Sequence, residues 1–155
     1  ELRRAVALEQ LVLHYQPIVD LHRGAVVGVE ALLRMMDPGG AVLPAAAFID
    51  VAEGTEVMPA IGAWVLERAF TQAAAWRGRF WPLDVAVNVS GRQLEHPDDL
   101  RRHVEDTAAS AGLPLDAVVL ELTEAALTGA GQGLAALEHL AGAGAHLAVD
   151  DFGTG

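Results

Sequence analysis

The sequence contains no cysteine. That absence removes disulfide frameworks, zinc–thiolate sites, iron–sulfur clusters and thiol nucleophiles together, so any chemistry here uses oxygen and nitrogen groups. Aromatic residues make up only 5% of the 155 residues, so Ala, Val and Leu must fill the core. Cations are few: 10 basic against 21 acidic side chains give a net charge of −11 and a pI near 4.8. Interfaces that track a nucleic-acid backbone or an anionic bilayer need clustered Lys and Arg, so neither a nucleic-acid polymer nor direct membrane insertion is expected. No apolar run approaches the roughly 18 residues of a membrane span. The start, Glu1-Leu2-Arg3-Arg4-Ala5, is not a signal peptide, and a cytoplasmic location is expected. The chain also lacks an initiator Met and opens in an apparent amphipathic helix, with Leu2, Val6 and Leu8 or Glu9 about a turn apart, as a segment of a longer protein would. What the sequence has is apolar material: 52% hydrophobic residues and a mean hydropathy of +0.31, enough for a packed domain and too much for disorder.

Residues 11–19 are rich in β-branched and aromatic types and end at a turn-like 20–24, which predicts a strand, and a second strand follows over 25–33. The stretch 35–47 holds Asp37-Pro38-Gly39-Gly40 and Pro44 and reads as a long, functional loop. Helical spacing of Ile61, Trp64, Val65, Ala69, Ala73 and Trp76 predicts a long helix after a short one at 48–52, with a break near Pro59. Strands over 83–89, 118–122 and 145–149 then alternate with helices over 96–111, closed by Gly112, and 134–140. This alternation implies right-handed crossovers and a parallel sheet, and the nearly continuous apolar strand cores suit burial on both faces.

Polar residues interrupt that pattern at specific places. Glu30, Asn88, Glu121 and the pair Asp150-Asp151 lie at or near the C-terminal ends of predicted strands, separated by 58, 33 and 29 residues; a βα unit takes about 30. On adjacent parallel strands such side chains converge at the end of the sheet where α/β folds place their sites. Several carboxylates cannot stay ionised together without a counter-charge. Oxygen-only donors select hard cations, so Mg²⁺ or Mn²⁺ is the natural neutraliser, and this many carboxylates suffice for two ions. Paired ions of that kind clamp an in-line displacement at phosphorus, which makes phosphoester hydrolysis the leading reaction class.

Five motifs carry a resemblance. Tyr15-Gln16-Pro17-Ile18-Val19, Glu30-Ala31-Leu32-Leu33-Arg34, Asn88-Val89-Ser90 with Gln93-Leu94, Glu121-Leu122-Thr123-Glu124, and Asp150-Asp151-Phe152-Gly153-Thr154-Gly155 resemble, in order and spacing, those of the EAL domain family across residues 1–155. The resemblance implies a modified (β/α)₈ TIM-like barrel with an antiparallel first strand, here truncated after the fifth strand and so incomplete at its C-terminal end. It implies a phosphodiesterase that opens cyclic di-GMP to linear pGpG with two ions of Mg²⁺ or Mn²⁺. It implies Glu30, Asn88, Glu121 and Asp150 as ligands of the first metal, with Asp150 and Asp151 reaching the second. Glu30, Asp150, Asp151 and Glu124 form the implied catalytic set, Glu124 steadying the loop after Asp151, and Gln16 and Arg34 are implied substrate contacts. Arg34 also stands on its own chemistry, because a guanidinium fork suits a phosphate.

Departures from the family pattern are Met35 where Trp is usual, Ala125 after Glu124 where Ser is usual, and Glu56 where Gly is common. The catalytic lysine and a further glutamate that the family supplies are absent from these residues, so the 155-residue piece alone is expected to be inactive. Implied partners are cyclic di-GMP, a second copy in a homodimer, and upstream sensory or GGDEF-type modules. The alternative reading is an inactive EAL module that binds cyclic di-GMP or a protein partner as a receptor; a third is a metal-dependent barrel acting on another phosphoester or a carbonyl acid.

Other signals are weaker. Asp151-Phe152-Gly153 matches a kinase metal-binding motif but lacks the accompanying Gly-rich loop and Val-Ala-Ile-Lys strand. The glycines of 129–133 miss dinucleotide-fingerprint spacing. The six histidines form no zinc-like pair on one helix face, His103 reading as a solvated residue. Trp64, Trp76 and Trp81 read as core and core-edge packing.

Overall fold

In a computed structural model, which describes residues 10–53, 55 and 57–150, six strands form one sheet. β1 (Leu11–Asp20) and β2 (Ala25–Met36) make an antiparallel hairpin. Asp20 closes its turn: the carboxylate accepts the N–H groups of His22 at 2.8 Å and Arg23 at 3.1 Å, as short acidic side chains do in Asx-turns. β3 (Val42–Pro44) pairs antiparallel with the far end of β2. β4 (Asp84–Asn88), β5 (Val118–Thr123) and β6 (His146–Asp150) then add in parallel, giving the order β1-β2-β4-β5-β6.

The segment expected as a loop over 35–47 is therefore a second hairpin. β2 runs on to Met36, and the turn formers occupy only 37–41, where Ala41 N–H donates to Asp37 Oδ1 at 2.8 Å. Val42 and Leu43 favour extended backbone and pair with Met36 and Met35, which would otherwise present an open edge. The sheet thus carries one short strand more than the periodicity predicts.

The helices are α1 (Ile49–Glu53), α2 (Met58–Arg79), α3 (Gly91–Leu94), α4 (Pro97–Ala111), α5 (Glu124–Thr128) and α6 (Gly133–Gly142). Pro59 lies in the first turn of α2 rather than breaking it; the first-turn N–H groups have no intrahelical partner, and the proline ring fixes a helical φ. α4 stops where Gly112 adopts φ 67°. The helix expected near residues 2–9 lies outside the described residues.

Side chains alternate across the strands, and one face is apolar. Val85, Val87, Val118, Leu120 and Leu122 are buried together with Ile61 and Phe70 of α2, Val104 of α4, and Leu137 and Leu140 of α6. Burial on both faces holds for the middle of β4, whereas edge strand β6 leaves Leu147 and Val149 more than 40% exposed. Trp64 and Trp76 pack on the core, the latter edge-on to Tyr15 at 4.8 Å. Trp81 is a correction: it lies beyond the end of α2 at 47% exposure, against Phe80 rather than the core. His139 also has a partner, its Nε2 lying 2.9 Å from Glu105 Oε1, so it links α6 to α4.

Candidate metal and substrate site

Strand register brings the singled-out polar residues to one face of the sheet, Asn88 and Asp150 at the ends of β4 and β6 and Glu121 two residues before the end of β5, whereas Glu30 stands midway along β2, which runs on to Met36 instead of ending near 33. Glu30 sits beside Ala86, two residues before Asn88; Asn88 pairs with Glu121; and Thr123, two residues after Glu121, pairs with Asp150. With a side-chain period of 2, all four lie on the face opposite the apolar core. Small residues beneath them, Gly28, Ala86 and Ala148, keep that face low near the site.

Direct contacts tie the centre together. Asn88 Nδ2 donates to Glu30 Oε1 at 3.1 Å. That engages the amide nitrogen and leaves Oδ1 as the oxygen Asn88 can offer a cation. Past Asn88, Val89 N–H donates to the Glu121 carbonyl at 2.8 Å, so β4 and β5 stay joined where their ligand candidates stand. Each strand end is held by a capped helical turn: Ser90 Oγ accepts Gln93 N–H at 3.3 Å, and Thr123 Oγ1 accepts Ala126 N–H at 3.2 Å.

Electrostatics report crowding of negative charge. Burial pushes the Glu121 carboxyl up to about 7, with further upward contributions from the charges of Glu30 and Asp150 and from a hydrogen bond with Glu30. Burial first, and then the neighbouring charges of Glu30 and Asp150, therefore oppose ionisation of Glu121. The donors are three carboxyls and an amide, all hard oxygens, which fits Mg²⁺ or Mn²⁺ by type. Among the described residues, no three His, Cys, Asp or Glu side chains are drawn tightly enough to form a metal shell by themselves. Asn88 supplies a neutral donor, and Asp151 lies outside the described residues.

Gln16 pairs with Glu30 across the hairpin and is exposed on the same face. Arg34 follows four residues later on that face of β2, between Val12 of β1 and Pro44 of β3, and its Nη1 donates to the Leu33 carbonyl at 2.8 Å. The hairpin over 35–47 thus borders the one basic residue on this face of β2. Glu124 opens α5 and is exposed, and it is not among the charges acting on Glu121. Two open grooves, of about 640 and 470 Å³, run between α2 and α4 and between α4 and α6. Both belong to the helix layer and hold none of the strand-end residues.

Fold and site define an α/β protein with an acidic, oxygen-donor site at the C-terminal ends of its parallel strands. The chain belongs to the EAL domain family, which it matches over residues 1–155. It is 38% identical over 157 residues to the bifunctional diguanylate cyclase/cyclic di-GMP phosphodiesterase MucR of Pseudomonas aeruginosa, covering 100% of this chain and 23% of that protein. The structure of the MucR phosphodiesterase in complex with c-di-GMP superposes with a TM-score of 0.90 at 38% identity, covering 99% of this chain and 63% of that one. The FimX EAL domain of Pseudomonas aeruginosa bound to c-di-GMP gives 0.86 at 26% identity, covering 99% and 62%. The six-stranded sheet is thus a portion of the TIM-like barrel of these domains. The chain spans about a fifth of the length of the curated relatives it matches.

One residue of the site region goes unassigned a role by sequence reasoning. Gln93, part of the motif after Asn88, is the buried polar side chain among the described residues. The pattern Ser90-x-x-Gln93 is a capping-box signature and signals its local bonds.

Proposed function

We propose that this chain supplies the metal-binding strands of a phosphodiesterase that hydrolyses cyclic di-GMP to linear pGpG. The single observation that carries the reading is the convergence of Glu30, Asn88, Glu121 and Asp150 on one sheet face. The c-di-GMP complexes of similar domains and the named activity of MucR support cyclic di-GMP as the substrate.

In this reading Glu30, Asn88, Glu121 and Asp150 hold one ion of Mg²⁺ or Mn²⁺, and Asp150 with Asp151 reaches a second. Such ions act as Lewis acids on a phosphoryl oxygen and make water acidic enough to attack at neutral pH. The protein's own groups do the rest. Asn88 Nδ2 anchors Glu30, keeping one carboxylate oxygen occupied and the side chain oriented. Arg34 offers a guanidinium to the phosphodiester charge, and its bond to the Leu33 carbonyl restrains the side chain beside the strand. Gln16, across from Glu30, is placed to meet the substrate from the adjacent strand, and Glu124 steadies the chain after Asp151.

None of the 155 residues is a lysine, so the lysine implied by the family pattern is not among them, and the activity is proposed for the whole protein. Sensory or GGDEF-type modules are the proposed companions, as the bifunctional name of MucR suggests, with homodimerisation and a cytoplasmic location. Among the described residues no helix is long and apolar enough to cross a membrane. The test is product formation by the full-length protein with cyclic di-GMP and Mn²⁺. The expected result is pGpG, lost on the order of 10³-fold in Asp150→Asn, the scale for removing a group that offsets developing charge. Tight nucleotide binding without product would instead establish a receptor.

A further inference from the structure

Gln93 has 8% of its surface accessible and belongs to α3, the single turn that follows β4. Its Oε1 accepts both the Ser90 N–H and the Ser90 hydroxyl at 3.1 Å, while Ser90 Oγ accepts Gln93 N–H. These bonds grip the chain two residues after Asn88. The residue between, Val89, is bound to the Glu121 carbonyl. Through Ser90 and Val89, Gln93 is thus linked along the chain to Asn88 and, by the Val89 hydrogen bond, to Glu121.

Its seat is built by another element. Gly62 lies inside α2, where glycine costs about 1 kcal/mol relative to alanine. A Cβ at Gly62 would overlap the Gln93 side-chain amide. On the other side of α3, a Cβ at Gly133 of α6 would lie 2.7 Å from the Leu94 carbonyl oxygen. Two helices therefore close onto this turn at glycines, and one of those glycines makes room for a buried amide whose bonds all serve the strand end.

We propose that Gln93, seated against Gly62, is a positioning residue for Asn88 and Glu121 in the divalent-cation site. It acts by supplying the acceptor that holds the turn after β4. Without that acceptor a half-buried Ser90 N–H loses its partner, and the turn is free to relax away from β5. The inference rests on the cation-site reading above.

The test compares Mn²⁺ affinity, melting temperature and backbone amide exchange in the full-length protein. Gln93→Met keeps the size and removes the acceptor; it should weaken Mn²⁺ binding 10-fold or more, the scale for groups that support metal ligands, and speed exchange at Val89 and Ser90. Leu113→Ala, a cavity just past the far end of α4 from this turn, should lower the melting temperature at least as much and leave Mn²⁺ affinity unchanged. Gly62→Ala should weaken Mn²⁺ binding by displacing Gln93. Adding Gln93→Ala to Gly62→Ala relieves the overlap, so stability should return while Mn²⁺ affinity stays low. Recovery of affinity together with stability would overturn the proposal, as would equal affinities for Gln93→Met and Leu113→Ala. If the unmutated protein binds no Mn²⁺, the cation-site reading fails separately, and unchanged Val89 and Ser90 exchange in Gln93→Met would overturn the positioning role as well.

Discussion

β4 and β6 carry ligand candidates of the same site, yet they sit in very different surroundings. In β4 the three residues before Asn88 are fully buried, with strands on both sides and α2 packed alongside. β6 is an edge strand whose Leu147 and Val149 remain largely exposed, and Asp150 is its last residue. Asn88 is held by Glu30, by the ladder to β5 and by the capped turn that follows. Among the described residues, the contacts that hold the site are therefore densest at its centre, on β4.

Truncating the core beneath β4 should have the largest effect on stability. Phe70→Ala removes a fully buried ring from α2 and should destabilise by about 3–5 kcal/mol, read from a denaturant midpoint. In the 155-residue chain, where Leu147 is 42% exposed, Leu147→Ala on β6 should cost about 1 kcal/mol or less. Equal losses would erase the distinction between the two strands.

Next in size is Arg34→Ala. A charge-assisted hydrogen bond contributes about 1.5–3 kcal/mol, so KM for cyclic di-GMP should rise roughly 10- to 100-fold with little change in stability. A fall in kcat at unchanged KM would move Arg34 from substrate binding to the reaction itself.

The smallest effect is a pH dependence that belongs to the centre of the site. Glu121 titrates near 7 in the folded chain against 4.5 as its ordinary value, so between these values the folded state binds more protons than the unfolded. Its contribution to stability is therefore present below about 4.5 and lost as pH rises towards 7 in metal-free protein. Glu121→Gln should flatten that slope in melting-temperature profiles, and added Mn²⁺ should offset it. A slope unchanged by Glu121→Gln would place its origin elsewhere.

Much of this was legible in the sequence. The apolar runs of β2, β4 and β5, each followed by a polar residue at βα spacing, sufficed to place Glu30, Asn88, Glu121 and Asp150 on one sheet face, because strand alternation and parallel order follow from local pattern. β3 was not legible: three residues are too few to show a period, and Val42 becomes a strand only because Met36 is there to pair with it. The start of α2 was misread because a proline ends a helix from within and opens one from its first turn. Trp81 shows that composition does not tell which side of a helix end an aromatic takes. The burial of Gln93 depends on Gly62, 31 residues away in another helix, which no local pattern reveals.

The most direct test of the account is Mn²⁺ titration of the full-length protein, followed by electron paramagnetic resonance, beside its Glu121→Gln and Asp150→Asn variants. The account predicts saturable binding in the parent that weakens sharply in both variants. Equal binding in all three would mean that the strand-end carboxylates do not hold the cation, and the proposed chemistry would have to be sought elsewhere in the molecule.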